Sequence, residues 1–185
     1  KESNTSFYNW LHIQYENGAK ICSVCTGAYL LAKSGLLEEK NCTTHWKYLE
    51  DFRSKFPKVG LITDRLFVED QRIYTSAGVS SGIDLALYLI EEEFGPVFAT
   101  KVAKEVVVYL RRTEDDPQLS VFLQYRNHLD QRVHLVQDNL AQHLEQKLTI
   151  DELAEEVSMS PRNLTRLFKK TTGITIGDYL DKLRV

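Results

Sequence analysis

The chain has 185 residues, 43% of them hydrophobic, enough for one full domain and a smaller one around real cores. Its formal net charge of -3 excludes nucleic-acid binding by overall charge, so any such role must rest on local charge. Three cysteines, an odd number, with no apolar signal segment at the start, argue for a reducing, cytoplasmic compartment rather than a disulfide framework, and no apolar run could span a bilayer.

In chain order, "SFYNWLHIQYENGAK" places Phe7, Trp10, Leu11 and Tyr15 at helical intervals and stops at Asn17-Gly18. "KICSV" reads as a short buried strand. "TGAYLLAKSGLL" then reads as a helix with Ala28, Leu31 and Ala32 on one face. "NCTTH" is a second short strand, and "WKYLEDFRSKF" an amphipathic helix stopped by Pro57. "GLITDRLFVEDQRIYTSAG" reads as two strands joined at Glu69-Asp70-Gln71. "SSGIDLALYLIEEEFG" is a serine-capped helix closed at Gly95, and "PVFATKVAKEVVVYLRR" a helix starting at Pro96. Strands alternate with helices, which predicts an α/β fold over 1–112.

The polar stretch "TEDDPQLS", Thr113 to Ser120, marks the domain boundary and opens a linker over 113–131. An all-α domain is expected over 132–185. "VHLVQDNLAQHLEQKL" carries Val133, Val136, Leu140 and Leu144 at helical spacing, and "TIDELAEEVSMSPRNLTRLFKKTTG" gives two short helices around "VSMS". In the first of these, starting at Thr149 or Ile150, Leu153, Ala154 and Val157 turn inward, while Asp151, Glu152, Glu155 and Glu156 turn out. Ser160 caps the second, with Pro161 at its first position. Its inner stripe is Leu164, Leu167 and Phe168, which leaves Arg162, Asn163, Thr165, Arg166, Lys169 and Lys170 outside. Such a helix can enter the major groove of double-stranded DNA, its arginines on guanine edges and its lysines on phosphates. Spacing alone fits a solvated charged face equally well.

The segment "LTIDELAEEVSMSPRNLTRLFKKTTGITIGDYLDKLR" resembles the first helix-turn-helix of the AraC/XylS family of bacterial transcription regulators. The resemblance implies that Arg162, Thr165 and Arg166 read bases, with Asn163, Lys169 and Lys170 nearer the backbone. It also implies a homodimer and a second helix-turn-helix beyond the connector in which this chain ends. The segments "SVCTGAYLLAKSGLL", "TTHW" and "TSAGVSSGIDLALYLIEEEFG" resemble the ThiJ/PfpI domain, similar to class I glutamine amidotransferases, that precedes this module in one AraC subfamily. That resemblance implies a flavodoxin-like sandwich. Several of its strands would precede Lys1, so the domain is expected to lack its N-terminal part.

Within that fold Cys22 lies in a strand, facing the core, and Cys25 on the sharp turn after it. Three extended steps span about 10 Å, beyond the roughly 4.4 to 6.8 Å of a disulfide, so the Cys-x-x-Cys spacing is not a redox pair. No second Cys-x-x-Cys exists, and no histidine has ligand spacing to this one, so neither metal nor cofactor is expected. Ser23-Val24-Cys25-Thr26-Gly27 has the glycine that lets a strand turn sharply into a helix behind a nucleophile, and the helix N-terminus favours thiolate. His45 is the candidate base. A small buried Cys25 and a turn histidine fit the same residues.

Departures from the enzymes decide the expectation. The resemblance implies a glutamate two residues after the histidine, but Lys47 stands there and cannot orient an imidazolium by charge. Thr26 follows the cysteine, as in isocyanide hydratases of the superfamily. The expected function is therefore a transcription regulator with no catalytic residue. An unidentified small-molecule effector would bind around Cys25, Thr26, Gly27, His45 and the loop Ser76, Ala77, Gly78. The alternative is a cysteine-dependent hydratase or amide hydrolase using Cys25.

Overall fold

A computed structural model describes residues 5–184, which form two compact units, the first running through Gln118 and the second from Leu119. Lys1 and Val185, the outer limits of the expected domains, lie outside the described residues. Of the segment 113–131, residues up to Gln118 belong to the first unit and the rest to the second.

In the first unit α1 (Thr5–Glu16) ends at a left-handed Gly18, φ 93°, as the Asn-Gly pair predicts. Its buried contact is Leu11. Phe7 and Trp10 are exposed and stack on each other, with ring centroids 5.9 Å apart. β1 (Ile21–Val24) leads through a 3-10 turn, Cys25–Gly27, into α2 (Ala28–Ser34). α2 stops at Gly35, φ 87°. β2 (Asn41–Cys42) is shorter than the expected "NCTTH" strand. A second 3-10 turn, Trp46–Tyr48, precedes α3 (Leu49–Lys55).

The segment read as two strands contains three: β3 (Gly60–Leu61), β4 (Phe67–Asp70) and β5 (Ile73–Ser76). Glu69 and Asp70 stay in β4, so the reversal falls on Gln71 and Arg72, with Gln71 at φ 58°. β5 runs between β1, parallel to it, and β4, antiparallel, while β2 pairs with β3 in parallel. α4 (Val79–Phe94) is capped by Gly78, and its serine works from inside the first turn: Ser81 Oγ accepts from Gly78 N at 2.6 Å.

α5 (Pro96–Glu105) ends seven residues before the expected Arg112. Val106, Val107 and Val108 are β-branched and costly in a helix, and Val107 turns to φ 55°. The chain then returns along α4, where Arg112 meets the buried Asp84 of that helix. The core beneath joins Leu11, Ile21, Leu31, Leu37, Phe52 and Ile73. Cys42 is fully buried there and its thiol is pushed up to about 12 by burial, so it stays protonated. Cys22 is exposed, not turned to the core as expected, because strand alternation buries its neighbours Ile21 and Ser23.

The second unit is helical: α6 (Val121–Tyr125), α7 (Gln131–Gln142), α8 (Ile150–Glu156), α9 (Pro161–Thr172) and α10 (Ile176–Arg184). α7 ends before Leu144, which lies outside the helix. Val133, Val136, Leu140, Leu153, Leu164, Phe168 and Tyr179 form its core, with Val121 and Tyr125 of α6 packed against it. Among the described residues no helix is long and apolar enough to cross a membrane.

Candidate functional site

Parallel pairing of β1 with β5 sets Val24 beside Ser76, so the turns that follow both strands emerge at one edge. The carboxyl ends of parallel strands are where open α/β sheets bind ligands. Cys25 begins the first turn at φ 56°, a conformation non-glycine residues rarely adopt. Gly27 suits the close approach there, since a Cβ would stand 3.2 Å from Ser23 Cβ.

Three hydroxyl-bearing side chains and an amide then bring His45 to the same edge. Thr43 N donates to Thr75 Oγ1 at 2.8 Å, and Thr44 Oγ1 donates to the Cys25 carbonyl at 3.0 Å. Gln118 Nε2 reaches Thr43 Oγ1 at 3.0 Å and Thr44 O at 3.1 Å. A Cβ on Gly78 would lie 3.8 Å from His45 Cδ2, so the imidazole covers that glycine. Cys25 and Gly27 are half-buried and Thr26 is exposed. Ser76 and Ala77 are buried: Ser76 Oγ donates to Ser23 O at 3.3 Å and Ala77 N to Leu66 O at 2.8 Å. The Ser76 hydroxyl and the Ala77 backbone serve the sheet, and Gly78 is the part of that loop set against His45. Thr44 and Gln118 organise this edge and escaped the sequence reading, because a threonine and a linker glutamine have no periodic signature.

The bonding of His45 limits its chemistry. Its Nδ1 accepts the Lys47 backbone N–H at 3.2 Å, capping the turn Trp46–Tyr48. A neutral ring that accepts at Nδ1 carries its proton at Nε2. A general base acting on a thiol through Nε2 needs the opposite tautomer, with Nδ1–H held by an acceptor. The Lys47 ammonium lies 5.9 Å from the Tyr48 ring centre, and the imidazole is flanked by Trp46 at 5.5 Å and Tyr48 at 5.8 Å. What this edge offers is a donor at Nε2 beside two exposed aromatic rings. Among the described residues no group of three or more His, Cys, Asp or Glu is placed to hold a metal ion.

In the second unit, Thr149 and Glu152 form a reciprocal cap on α8, Glu152 Oε2 accepting from Thr149 N at 2.7 Å and Thr149 Oγ1 from Glu152 N at 3.2 Å. Ser158 turns at φ 54°, and Ser160 caps α9 by accepting from Asn163 N at 3.4 Å. Leu164 and Phe168 are fully buried, and Arg162, Asn163, Thr165, Arg166, Lys169 and Lys170 are all exposed. Among the described residues no carboxylate pairs with Arg162, Arg166, Lys169 or Lys170 at ion-pair distance. Arg166 Nη2 touches Asn163 Oδ1 at 3.4 Å. Thr165 Oγ1 donates back to the helix carbonyls of Pro161 and Arg162, each at 3.1 Å, which leaves its methyl as the outward group.

Comparison with known proteins matches residues 2–92 to the DJ-1/PfpI family and residues 140–181 to the bacterial regulatory helix-turn-helix proteins of the AraC family. The HTH-type transcriptional regulator GbdR of Pseudomonas aeruginosa is 33% identical over 177 residues, 95% of this chain and 48% of that protein. An isonitrile hydratase of Pseudomonas putida is 37% identical over 89 residues, 47% of this chain and 37% of the hydratase. The crystal structure of Drosophila melanogaster DJ-1beta superposes with a TM-score of 0.50 at 25% identity, over 59% of this chain and 56% of that one. The chain spans about half the length of the curated regulators it matches.

Proposed function

We propose, for a chain that joins a DJ-1/PfpI domain to an AraC-family helix-turn-helix, that it is a bacterial transcription regulator which binds double-stranded DNA through α9 and senses a small molecule without turning it over. The observation that carries the reading is the uncovered cationic face of α9 on a fully packed helix-turn-helix. Arg162, Thr165 and Arg166 read base edges, and Asn163, Lys169 and Lys170 meet the backbone. The effector binds at the strand edge around Cys25, Thr26, Gly27, His45 and the Ser76-Ala77-Gly78 loop, with the Nε2–H of His45 as donor. The regulator works in the cytoplasm as a homodimer, and effector that binds one dimer arrangement better shifts the population toward it. GbdR, 33% identical, is an HTH-type transcriptional regulator. Enrichment of bound duplexes from a random pool tests this: a shared sequence motif is expected, and binding that ignores sequence would sink it.

The second reading, a hydratase acting through Cys25, is favoured by one observation, the strained φ of 56° at that residue. A sequence relative named for that activity is 37% identical over 47% of the chain. Incubation of purified protein with a simple isonitrile decides between them, and formation of the N-formyl product would establish the enzyme.

A further inference from the structure

A cation outside the helix-turn-helix stands beside α9. Arg132, in the first turn of α7, lines a depression of about 500 Å³ together with Met159, Asn163, Arg166, Leu167 and Lys170. Residues 163, 166 and 170 fall on one stripe of α9, spaced three and four apart. Met159 and Leu167 give the depression an apolar floor, and Arg132 closes it from the neighbouring helix. Three of its side chains are cationic and none is acidic.

Arg132 is also held in one orientation. Asp130 caps α7, accepting from Arg132 N at 3.1 Å and Val133 N at 3.4 Å. The same carboxylate takes Arg132 Nε at 3.3 Å and Nη2 at 3.0 Å, none of which uses Nη1. The Arg132 side chain is 52% exposed despite this pair. An α-helix with its side chains is about 10–12 Å across, and the major groove is about 12 Å wide. A helix that fills the groove therefore has phosphates along its flanks, and a fixed cation on an adjoining helix meets them there.

We propose that Arg132 grips a DNA phosphate on the flank of α9 that carries Asn163, Arg166 and Lys170, and so sets the angle at which α9 enters the groove. The proposal rests on the reading of the chain as a DNA-binding protein. A phosphate contact positions without specifying, so its loss weakens all sequences alike. Each phosphate neutralised contributes about 0.9 to the slope of log affinity against log salt.

The test is a salt titration of the intact chain, between about 50 and 200 mM, on duplexes that it enriches from a random pool and on an unrelated duplex. Arg132→Ala should lower the salt slope by about 0.9 and weaken both duplexes by about the same factor, near tenfold at low salt. Arg132→Gln, which keeps the polar stem, should do the same, and Arg132→Lys should retain the slope. The proposal is overturned if Arg132→Ala and Arg132→Gln leave slope and affinity unchanged while Lys170→Ala lowers both, a result under which DNA binding itself still stands. If the wild-type chain enriches no duplex, the DNA-binding reading fails and this one with it.

Discussion

Asp84 of α4 has a side chain only 4% exposed, and Arg112 closes over it, Nη2 at 2.6 Å and Nε at 3.0 Å from the same oxygen. Arg112 also donates from Nη2 to Ser80 Oγ at 3.1 Å, so one guanidinium fastens the irregular segment after α5 back onto α4. Removing the side chain leaves a carboxylate in low dielectric with the Arg112 backbone N–H, at 3.4 Å, in place of the guanidinium. Arg112→Ala should therefore destabilise the first unit by about 3 kcal/mol, the low end for a broken buried pair because the Arg112 side chain is itself a third exposed. Urea unfolding measures this, and a midpoint equal to wild type would show that the pair is idle.

At the strand edge, the proton of His45 sits on Nε2 because Nδ1 accepts from Lys47 N. An imidazole in that tautomer does not draw the proton from Cys25. Alkylation of Cys25 by iodoacetamide at neutral pH should change less than about twofold in His45→Ala, whereas loss of a working base would cost on the order of a hundredfold. Peptide mapping must resolve Cys25 from the exposed Cys22. A large drop in the Cys25 rate would restore the enzyme reading.

On α9, base readers and backbone contacts separate by what their loss does. Arg166→Ala should cost about 1–3 kcal/mol on an enriched duplex and broaden base preference at one position. Lys170→Ala should weaken every duplex alike and reduce the salt slope. Thr165, with its hydroxyl turned back to the helix, presents a methyl, so Thr165→Ser should weaken binding chiefly where a thymine methyl faces it. Equal, sequence-blind losses from Arg166→Ala and Lys170→Ala would overturn the assignment.

His128 gives the helical unit a sensitivity to acid. Its ring lies 4.4 Å from that of His134, and neither nitrogen of His128 reaches a partner at hydrogen-bond geometry, though both are shielded from solvent. Burial first, then the neighbouring His134, hold the His128 pKa below its ordinary 6.5; Gln137 and Asp130 oppose them, and Arg126 adds the smallest lowering effect. The folded state thus binds fewer protons than the unfolded one just below about pH 6.5. Stability from the neutral ring is complete above that pH and declines as pH falls through the window beneath it. The carboxylates of Asp130 and Asp138, held low chiefly by Arg132 and Arg126, lose their contributions only at more acid pH. His128→Gln should flatten the dependence of the denaturation midpoint between about pH 7 and 5.5. An unchanged slope would exonerate the pair.

Helices α7, α8 and α9 were legible because their caps and stripes are local, as in Ser160 with Pro161 and Leu164 with Phe168, whereas α6 lies in the segment read as a linker and is tied to the core by Val121 and Tyr125. The turn at Cys25 was legible from its glycine two places on. What escaped depends on partners distant in sequence. Cys22 looked like a core residue, but its face of β1 is exposed. α5 looked longer because Val106 to Leu110 continue an apolar run, although β-branching and the return to Asp84 end it. Nothing in the sequence around Arg132 points to residues 163, 166 and 170. The tautomer of His45 depends on a backbone amide, which every residue but proline supplies and no motif records.

Gln118, the last residue of the first unit, faces three acceptors with one amide nitrogen: Thr43 Oγ1, Thr44 O and, at 3.4 Å, Thr63 O. A primary amide has two protons to give. Demand at this junction exceeds supply, while the Oε1 of the same side chain is buried and accepts nothing. A small displacement of the loop that carries His45 is then met by reassigning a proton from one acceptor to another. The chain leaves the unit through a joint that slips before it breaks.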